Sequence, residues 1–244
     1  MLIWRVCLFP ILFIGVPGQL FAEHVLRVGV SEAMVGMLEA ADGHLAGLMA
    51  EPYNCIFEDD RYSVQLFALP LKRGLYYLET GELDVFLPLA KTPERDHALI
   101  FGGRLDSAEY SYVSFKPFSE KSDFSRSKFV LLRGAAGKVF LPETADEVYQ
   151  VNNRSQVLDM LLRDRVDVAV VPTLLVKEIL GERLMDAYVR PAGILPASLY
   201  LSPKHKSAEL KYQILESVER CRFESPCSPG EDLGFAQCRS DIFF

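Results

Sequence analysis

The sequence lacks several features that mark specialised classes of protein. None of its apolar runs extends over eighteen uninterrupted residues, which excludes a multispanning membrane protein. It also lacks a basic excess, because 33 acidic and 26 basic residues give a net charge of −7, and this argues against a nucleic-acid partner. The 14 Pro and 16 Gly are too few for a collagen-like or disordered chain. We therefore expect the 244 residues to form one large domain or two small lobes.

Motifs of common enzyme classes are also missing. The chain contains no G-x-S-x-G, H-E-x-x-H or P-loop motif, and no G-x-G-x-x-G after a strand. The four histidines, His24, His44, His97 and His205, lie away from the cysteines and do not form zinc-ligand spacings with them. The sequence therefore predicts a protein that is not an enzyme and that has no cofactor or metal.

The first 22 residues have the layout of a secretory signal peptide. Arg5 supplies the positive charge, residues 6–16 form the apolar region, and Ala22 ends a small-residue cleavage site. The alternative is an uncleaved membrane anchor, but the apolar run is short and Pro10 interrupts it. We therefore expect export to the periplasm and cleavage after Ala22.

The cysteines of the exported chain are expected to form disulfides. Cleavage would leave Cys55, Cys221, Cys227 and Cys238 in an oxidising compartment. Three of the four lie in the last 24 residues, where a Pro-rich segment could not be held by core burial alone. Four cysteines allow three pairings, and the sequence does not choose among them.

Hydrophobic patterns predict two sets of alternating strands and helices. The first set comprises strands at 25–30, 62–69 and 83–87 and helices at 50–59 and 71–80. The second comprises strands at 110–115, 128–132 and 166–171 and helices at 154–164 and 173–180. A last helix at 207–222 carries an apolar stripe of Leu210, Ile214, Val218 and Cys221. This order predicts two α/β lobes that bind a ligand between the carboxyl ends of their strands.

The order of five segments resembles the type 2 periplasmic solute-binding proteins of family 3, which bind polar amino acids. The segments are LRVGV at 26–30, ADGHLAGL at 41–48, LETGELDVFLPLAKTPER at 78–95, FVLLRGAAG at 129–137 and VLDMLLRDRVDVAVV at 157–171. The resemblance implies a two-lobed periplasmic-binding-protein type 2 fold, each lobe a mostly parallel sheet flanked by helices. It also implies a monomeric receptor that captures a small molecule for an inner-membrane ABC permease.

The resemblance also implies domain boundaries. Lobe 1 would comprise residues 23–112 and 192–244, and lobe 2 would comprise residues 113–191. The chain would cross between the lobes twice, at about residues 111–115 and again near Pro191. These crossings would form the hinge on which the lobes close over a ligand.

In members that this chain resembles, an arginine in the TPER-type segment binds the ligand carboxylate, and here that residue is Arg95. The planar guanidinium can meet a carboxylate with two parallel hydrogen bonds. The alternative is an ion pair with Glu94 or another acid at the surface. We expect Arg95→Ala to abolish carboxylate binding and to leave the fold intact. Leu71, Ala90 and Thr92 are expected to line the same side of the cleft.

The second lobe is expected to contribute the turn Gly134, Ala135 and Ala136, which matches the family's ligand-binding turn in position but lacks its hydroxyls. Backbone N–H groups there could still bind an anion. The alternative is a tight turn that only connects a strand with a helix.

Three positions depart from the family's pattern for binding the ligand ammonium. Pro172 stands where the family has an acid, Met34 replaces a stacking aromatic residue, and Glu32 is the acid that could substitute. A desolvated ammonium without a carboxylate costs about 3–5 kcal/mol. We therefore expect an anionic or carboxylate-bearing solute rather than an ordinary amino acid.

Two alternative functions remain open. One is a partner-binding or signalling module with a degenerate cleft. Three features favour it: residues 88–92 lack the serines that the family has before the arginine, the acid is missing at Pro172, and the tail carries cysteines. The other is a dehydratase-like enzyme on the same fold, for which Glu32 would be the acid or base.

Overall fold

The computed structural model describes residues 24–34, 36–41, 44–58, 62–118, 124, 126–145, 147–204 and 207–224. The predicted signal peptide and the cysteines at 227 and 238 lie outside these residues. In the described ranges, no helix is both long and apolar enough to cross a membrane.

The described residues form eleven strands, six α-helices and four short 3-10 helices. The strands are β1 (His24–Ser31), β2 (Glu39–Ala41), β3 (His44–Ala46), β4 (Tyr62–Leu69), β5 (Val85–Ala90), β6 (Ile100–Phe101), β7 (Asp106–Ser114), β8 (Lys128–Leu132), β9 (Glu147–Val151), β10 (Val168–Pro172) and β11 (Tyr188–Leu201). The α-helices are α1 (Ala50–Phe57), α2 (Leu71–Thr80), α3 (Pro93–Ala98), α4 (Arg154–Leu162), α5 (Val176–Leu180) and α6 (Ala208–Glu224). The 3-10 helices are Glu32–Met34, Ala136–Phe140, Thr173–Leu175 and Gly181–Asp186.

Most predicted elements are confirmed. Strand β4 and helix α2 have the predicted bounds, and α2 ends at Gly81, whose φ of 86° lies in the left-handed region that favours glycine. Helix α4 begins after Asn153, whose side chain accepts the Gln156 N–H at 3.0 Å. The helix predicted at 173–180 is instead a 3-10 turn followed by α5. Strands β9 and β11 and helix α3 were not predicted.

Nine strands form one mixed sheet in the order β4-β1-β5-β11-β7-β10-β8-β9, with β6 paired to β11. Strands β4, β1 and β5 are parallel and are termed the first half of the sheet. Strands β10, β8 and β9 are parallel and are termed the second half. Between them, β11 and β7 run antiparallel to each other and to their neighbours. The predicted parallel sheets with crossover helices are therefore confirmed, and they belong to one hydrogen-bonded sheet.

The two halves meet through the β7–β11 ladder, which is termed the central ladder. It pairs residues 188–197 with residues 106–114, and its register shifts once, between Pro191 and Gly193. Pro191 lies opposite Ser111, so the two expected crossings face each other in this ladder. The lobe boundaries that we placed at these crossings stay a prediction.

Helix α6 is held against the rest of the molecule by its apolar stripe and by a disulfide. The predicted stripe is confirmed, since Leu210, Ile214, Val218 and Cys221 are all 5% exposed or less. Cys221 is bonded to Cys55 of α1, which selects one of the three pairings left open by the sequence.

Candidate functional site

Arg95 lies in the first turn of α3, directly after β5. Thr92 caps this helix, because its Oγ1 accepts the Arg95 N–H at 3.3 Å, and Pro93 occupies the first helical position. The cap fixes the backbone at Arg95, whose side chain then returns over the carboxyl end of β5.

The Arg95 guanidinium joins the two halves of the sheet. Its Nη1 donates to the carbonyl of Ala90 at the end of β5, and its Nη2 donates to the carbonyl of Gly134 after β8 at 2.9 Å. Arg95 is only 8% exposed. The alternative of an arginine at the surface is therefore wrong, because the side chain is buried. That loss of Arg95 leaves the fold intact stays a prediction.

The electrostatic surroundings of Arg95 favour an anion. Burial lowers the pKa of Arg95, and the Tyr110 and Tyr200 phenols and the Glu94 carboxylate act in the opposite direction. Within the described part of the chain, its side-chain hydrogen bonds go to carbonyl oxygens and not to a carboxylate. A buried guanidinium that lacks a carboxylate partner is costly to desolvate, so an anionic group placed here would be stabilising.

Two tyrosines lie near the guanidinium, and sequence reasoning missed both. Tyr110 belongs to the central ladder, and Tyr200 lies further along β11, where it pairs with β5 and β6. Burial and then a hydrogen bond to Asp96 raise the pKa of Tyr200, whose OH donates to Asp96 Oδ1 at 2.7 Å. Burial raises the pKa of Tyr110, while the Arg95 charge and the Ala136 N–H act against this rise. Tyr110 lay within a predicted strand, but nothing in the pattern indicated which side of the strand faces Arg95.

A pocket of about 250 Å³ lies beside Arg95 and is termed the Arg95 pocket. Its described lining comprises Leu75, Thr92, Glu94 and Arg95 from the first half and Leu131, Leu132, Gly134, Ala135, Ala136, Lys138, Val139 and Gln150 from the second half. Arg95 is buried, whereas Glu94 and Lys138 are exposed. The pocket therefore has a cation at its inner end and one charge of each sign at its mouth.

The structure brings together seven of the ten predicted site residues. Five of them line the Arg95 pocket: Thr92, Arg95, Gly134, Ala135 and Ala136. Ala90 takes part through the carbonyl that accepts from Arg95. Leu71 lies against Gly134, since a Cβ at position 134 would be 3.3 Å from Leu71 Cγ.

The other three predicted residues do not line this pocket in the part of the chain that the structure describes. Glu32 is exposed in the 3-10 turn after β1, and Met34, 9% exposed, packs in the core. Pro172 ends β10 opposite Tyr110. Their roles in ligand binding stay predictions.

The turn after β8 presents a carbonyl, rather than an N–H, to Arg95. Gly134 supplies this carbonyl with φ at 85°, and the Ala135 N–H donates to the Leu132 carbonyl at 3.0 Å. The 3-10 helix that follows extends from the pocket at Ala136 to the central ladder at Phe140. A Cβ at Gly193 would lie 2.3 Å from Phe140 Cε1, so only a glycine leaves room there for the ring. The predicted anion site on the backbone of this turn stays a prediction.

No protein-family model matches the chain, and no curated protein matches it either. Solved structures do match. An ancestral arginine-binding protein bound to glutamine has a TM-score of 0.67 and 19% identity, covering 83% of this chain and 93% of its own. A substrate-binding protein of an ABC uptake transporter from Streptococcus pneumoniae, with bound histidine, has a TM-score of 0.65 and 19% identity, covering 80% and 86%.

This chain has the fold of the periplasmic binding proteins. The expected fold class is thus confirmed, and so is the resemblance to the amino-acid-binding type at the level of structure. A histidine kinase sensor domain with similarity to periplasmic binding proteins also matches, with a TM-score of 0.69 and 18% identity over 83% of this chain and 92% of its own. Identities this low show that the fold is shared and do not show which ligand this chain binds.

Proposed function

We propose that this protein is an exported solute-binding protein that captures a small carboxylate-bearing solute in the Arg95 pocket. The observation that carries this proposal is the Arg95 guanidinium, which is buried and is hydrogen-bonded to carbonyls of both halves of the sheet. A carboxylate can accept two parallel hydrogen bonds from such a guanidinium and also neutralises its charge.

Binding at this place would couple the solute to closure of the two halves. Arg95 belongs to the first half and Gly134 to the second, so a solute beside them contacts both. Contacts that exist only in the closed form stabilise that form, which is how a binding protein signals occupancy to a partner. In this proposal the partner is an inner-membrane ABC permease, and the receptor acts as a monomer in the periplasm.

The proposed role requires no chemical step. Similar structures are described as substrate-binding proteins of amino-acid and other ABC uptake transporters. The dehydratase-like alternative relied on Glu32, which does not line the Arg95 pocket in the described part of the chain. Capture and release of an unchanged solute therefore fits the site better than acid-base catalysis.

The proposal is tested by thermal shift and calorimetry on the mature protein with monocarboxylates, amino acids, organic acids, sugars and polyamines. A solute present at a hundred times its Kd should stabilise the fold by about 2.7 kcal/mol. Arg95→Met should abolish the response to carboxylates. The control Arg165→Met removes an exposed guanidinium of the second half that does not line the pocket, and it should respond as the wild type does. Equal affinity in Arg95→Met and wild type would refute the proposal.

A partner-binding module is a second candidate, and three observations favour it. The guanidinium is already hydrogen-bonded to two carbonyls, and Leu71 lies against Gly134 across the cleft. The sensor-domain match shows that this fold also occurs in signalling proteins. This candidate would be favoured if no solute of the panel bound to the wild type or raised its melting temperature.

A further inference from the structure

The second half of the sheet offers the Arg95 pocket a single charged residue. Among the eight residues that it contributes to the described lining, Lys138 is charged and the others are apolar or neutral. The first half contributes Arg95 and Glu94. Two cations and one acid give the described lining a formal charge of +1, and the one charge that the second half contributes is a cation, which suits an anionic group better than an ammonium.

Lys138 is held at the mouth of the pocket by a well-anchored backbone. It lies in the 3-10 helix Ala136–Phe140, whose last residue accepts a hydrogen bond from the Tyr112 OH and packs its ring 5.3 Å from that of Tyr110. The Lys138 ammonium forms no ion pair or hydrogen bond with another described residue. Among the described residues its charge is therefore unpaired, while the short helix holds its backbone in place.

The two cations of the pocket lie at different depths. Arg95 is 8% exposed, whereas Lys138 is exposed beside Val139, which is itself 48% exposed. Leu75 and Leu131 line the same pocket and give it an apolar surface. This arrangement suits an elongated molecule with an anionic group at each end and a short aliphatic segment between.

We propose that the solute carries two anionic groups, as a short-chain dicarboxylate does, and that Lys138 is the specificity-determining residue for the outer one. This inference rests on the proposed function, in which Arg95 binds the inner carboxylate. The outer group would supply a charged contact with the second half, whose one charged residue in the described lining is Lys138. An amino dicarboxylate shares this chemistry, and its amine would meet Glu94 at the mouth.

The test compares dissociation constants of the mature protein for succinate, glutarate and L-glutamate with those for propionate, butyrate and L-glutamine. A charge-assisted hydrogen bond corresponds to about a tenfold or greater preference for the molecules with two carboxylates. Lys138→Gln should remove this preference by weakening the binding of dicarboxylates more than that of monocarboxylates, and Lys138→Arg should retain the preference. Lys177→Gln, which removes an exposed lysine of α5 outside the pocket lining, is the matched control and should behave as wild type.

Equal affinity of wild type for monocarboxylates and dicarboxylates would overturn the inference, as would an equal loss of both in Lys138→Gln. In either case the wild type would still bind monocarboxylates in a way that depends on Arg95, which separates this failure from failure of the proposed function. If the wild type bound no carboxylate at all, both this inference and the proposed function would be refuted. Tighter binding of L-glutamate than of glutarate, lost in Glu94→Gln, would support the inference and identify the amino dicarboxylate as the source.

Discussion

The disulfide between Cys55 and Cys221 should contribute a large part of the stability of this protein. It joins residues that are 166 positions apart in the chain, so it restricts most of the unfolded molecule. The loop-closure entropy for that separation is about 17 cal/mol/K, which corresponds to about 5 kcal/mol at 25 °C. Because unfolded chains retain some structure, we expect a loss of about 3–5 kcal/mol when the bond is removed. Helix α6 should remain docked, since its apolar stripe is buried independently of the bond.

The assay is equilibrium unfolding in guanidinium chloride, followed by far-UV circular dichroism. The test variant is Cys55→Ala/Cys221→Ala, and alanine is chosen because Cys221 is 2% exposed and a serine would bury a hydroxyl. The control is Cys227→Ala/Cys238→Ala, which removes two cysteines and keeps the described bond. A difference below about 1 kcal/mol between the test variant and wild type would refute this reasoning. Detection of free thiols at Cys55 and Cys221 in the native oxidised protein would refute it equally.

Two further predictions concern buried or partly buried carboxylates. Asp84 is 4% exposed and accepts hydrogen bonds from the Arg27 backbone N–H, Nε and Nη2 at 2.8–2.9 Å, so Asp84→Asn should cost about 2 kcal/mol in urea unfolding. No change in the midpoint would contradict this role. Burial raises the pKa of Asp167, but the Lys128 N–H and the Lys116 ammonium outweigh it, and the net pKa is lowered. Its contribution to stability is therefore present above pH of about 4 and is lost as the pH falls through the lowered value. Asp167→Asn should flatten the acid limb of a plot of melting temperature against pH, and an unchanged limb would count against the assignment.

The elements that could be predicted from the sequence are those whose signals are local. Helix α2 combines an apolar face with a terminal glycine at 81, and both lie within its own residues. Arg95 and Thr92 were expected from the resemblance to the family 3 binding proteins and not from a local signal, since the capped helix α3 that holds them was not predicted.

The parts of the fold and of the site that could not be predicted depend on contacts between residues that are distant in the chain. Strand β11 was missed because Pro191, Gly193 and Pro196 interrupt its pattern, although pairing with β7 keeps it extended. Because β11 was not predicted, Tyr200, which lies in this strand, was not among the expected site residues. Burial of Arg95 depends on the Gly134 carbonyl, 39 positions away, which no local pattern shows. The cysteine pairing likewise depends on the packing of α1 against α6.

The short helix at Ala136–Phe140 connects the Arg95 pocket with the central ladder. Ala136 lines the pocket, and the Phe140 ring lies against Gly193 beside the register shift of the ladder. Because a single five-residue helix spans these two contacts, we expect a displacement of the pocket wall to reach the place where β7 and β11 change register.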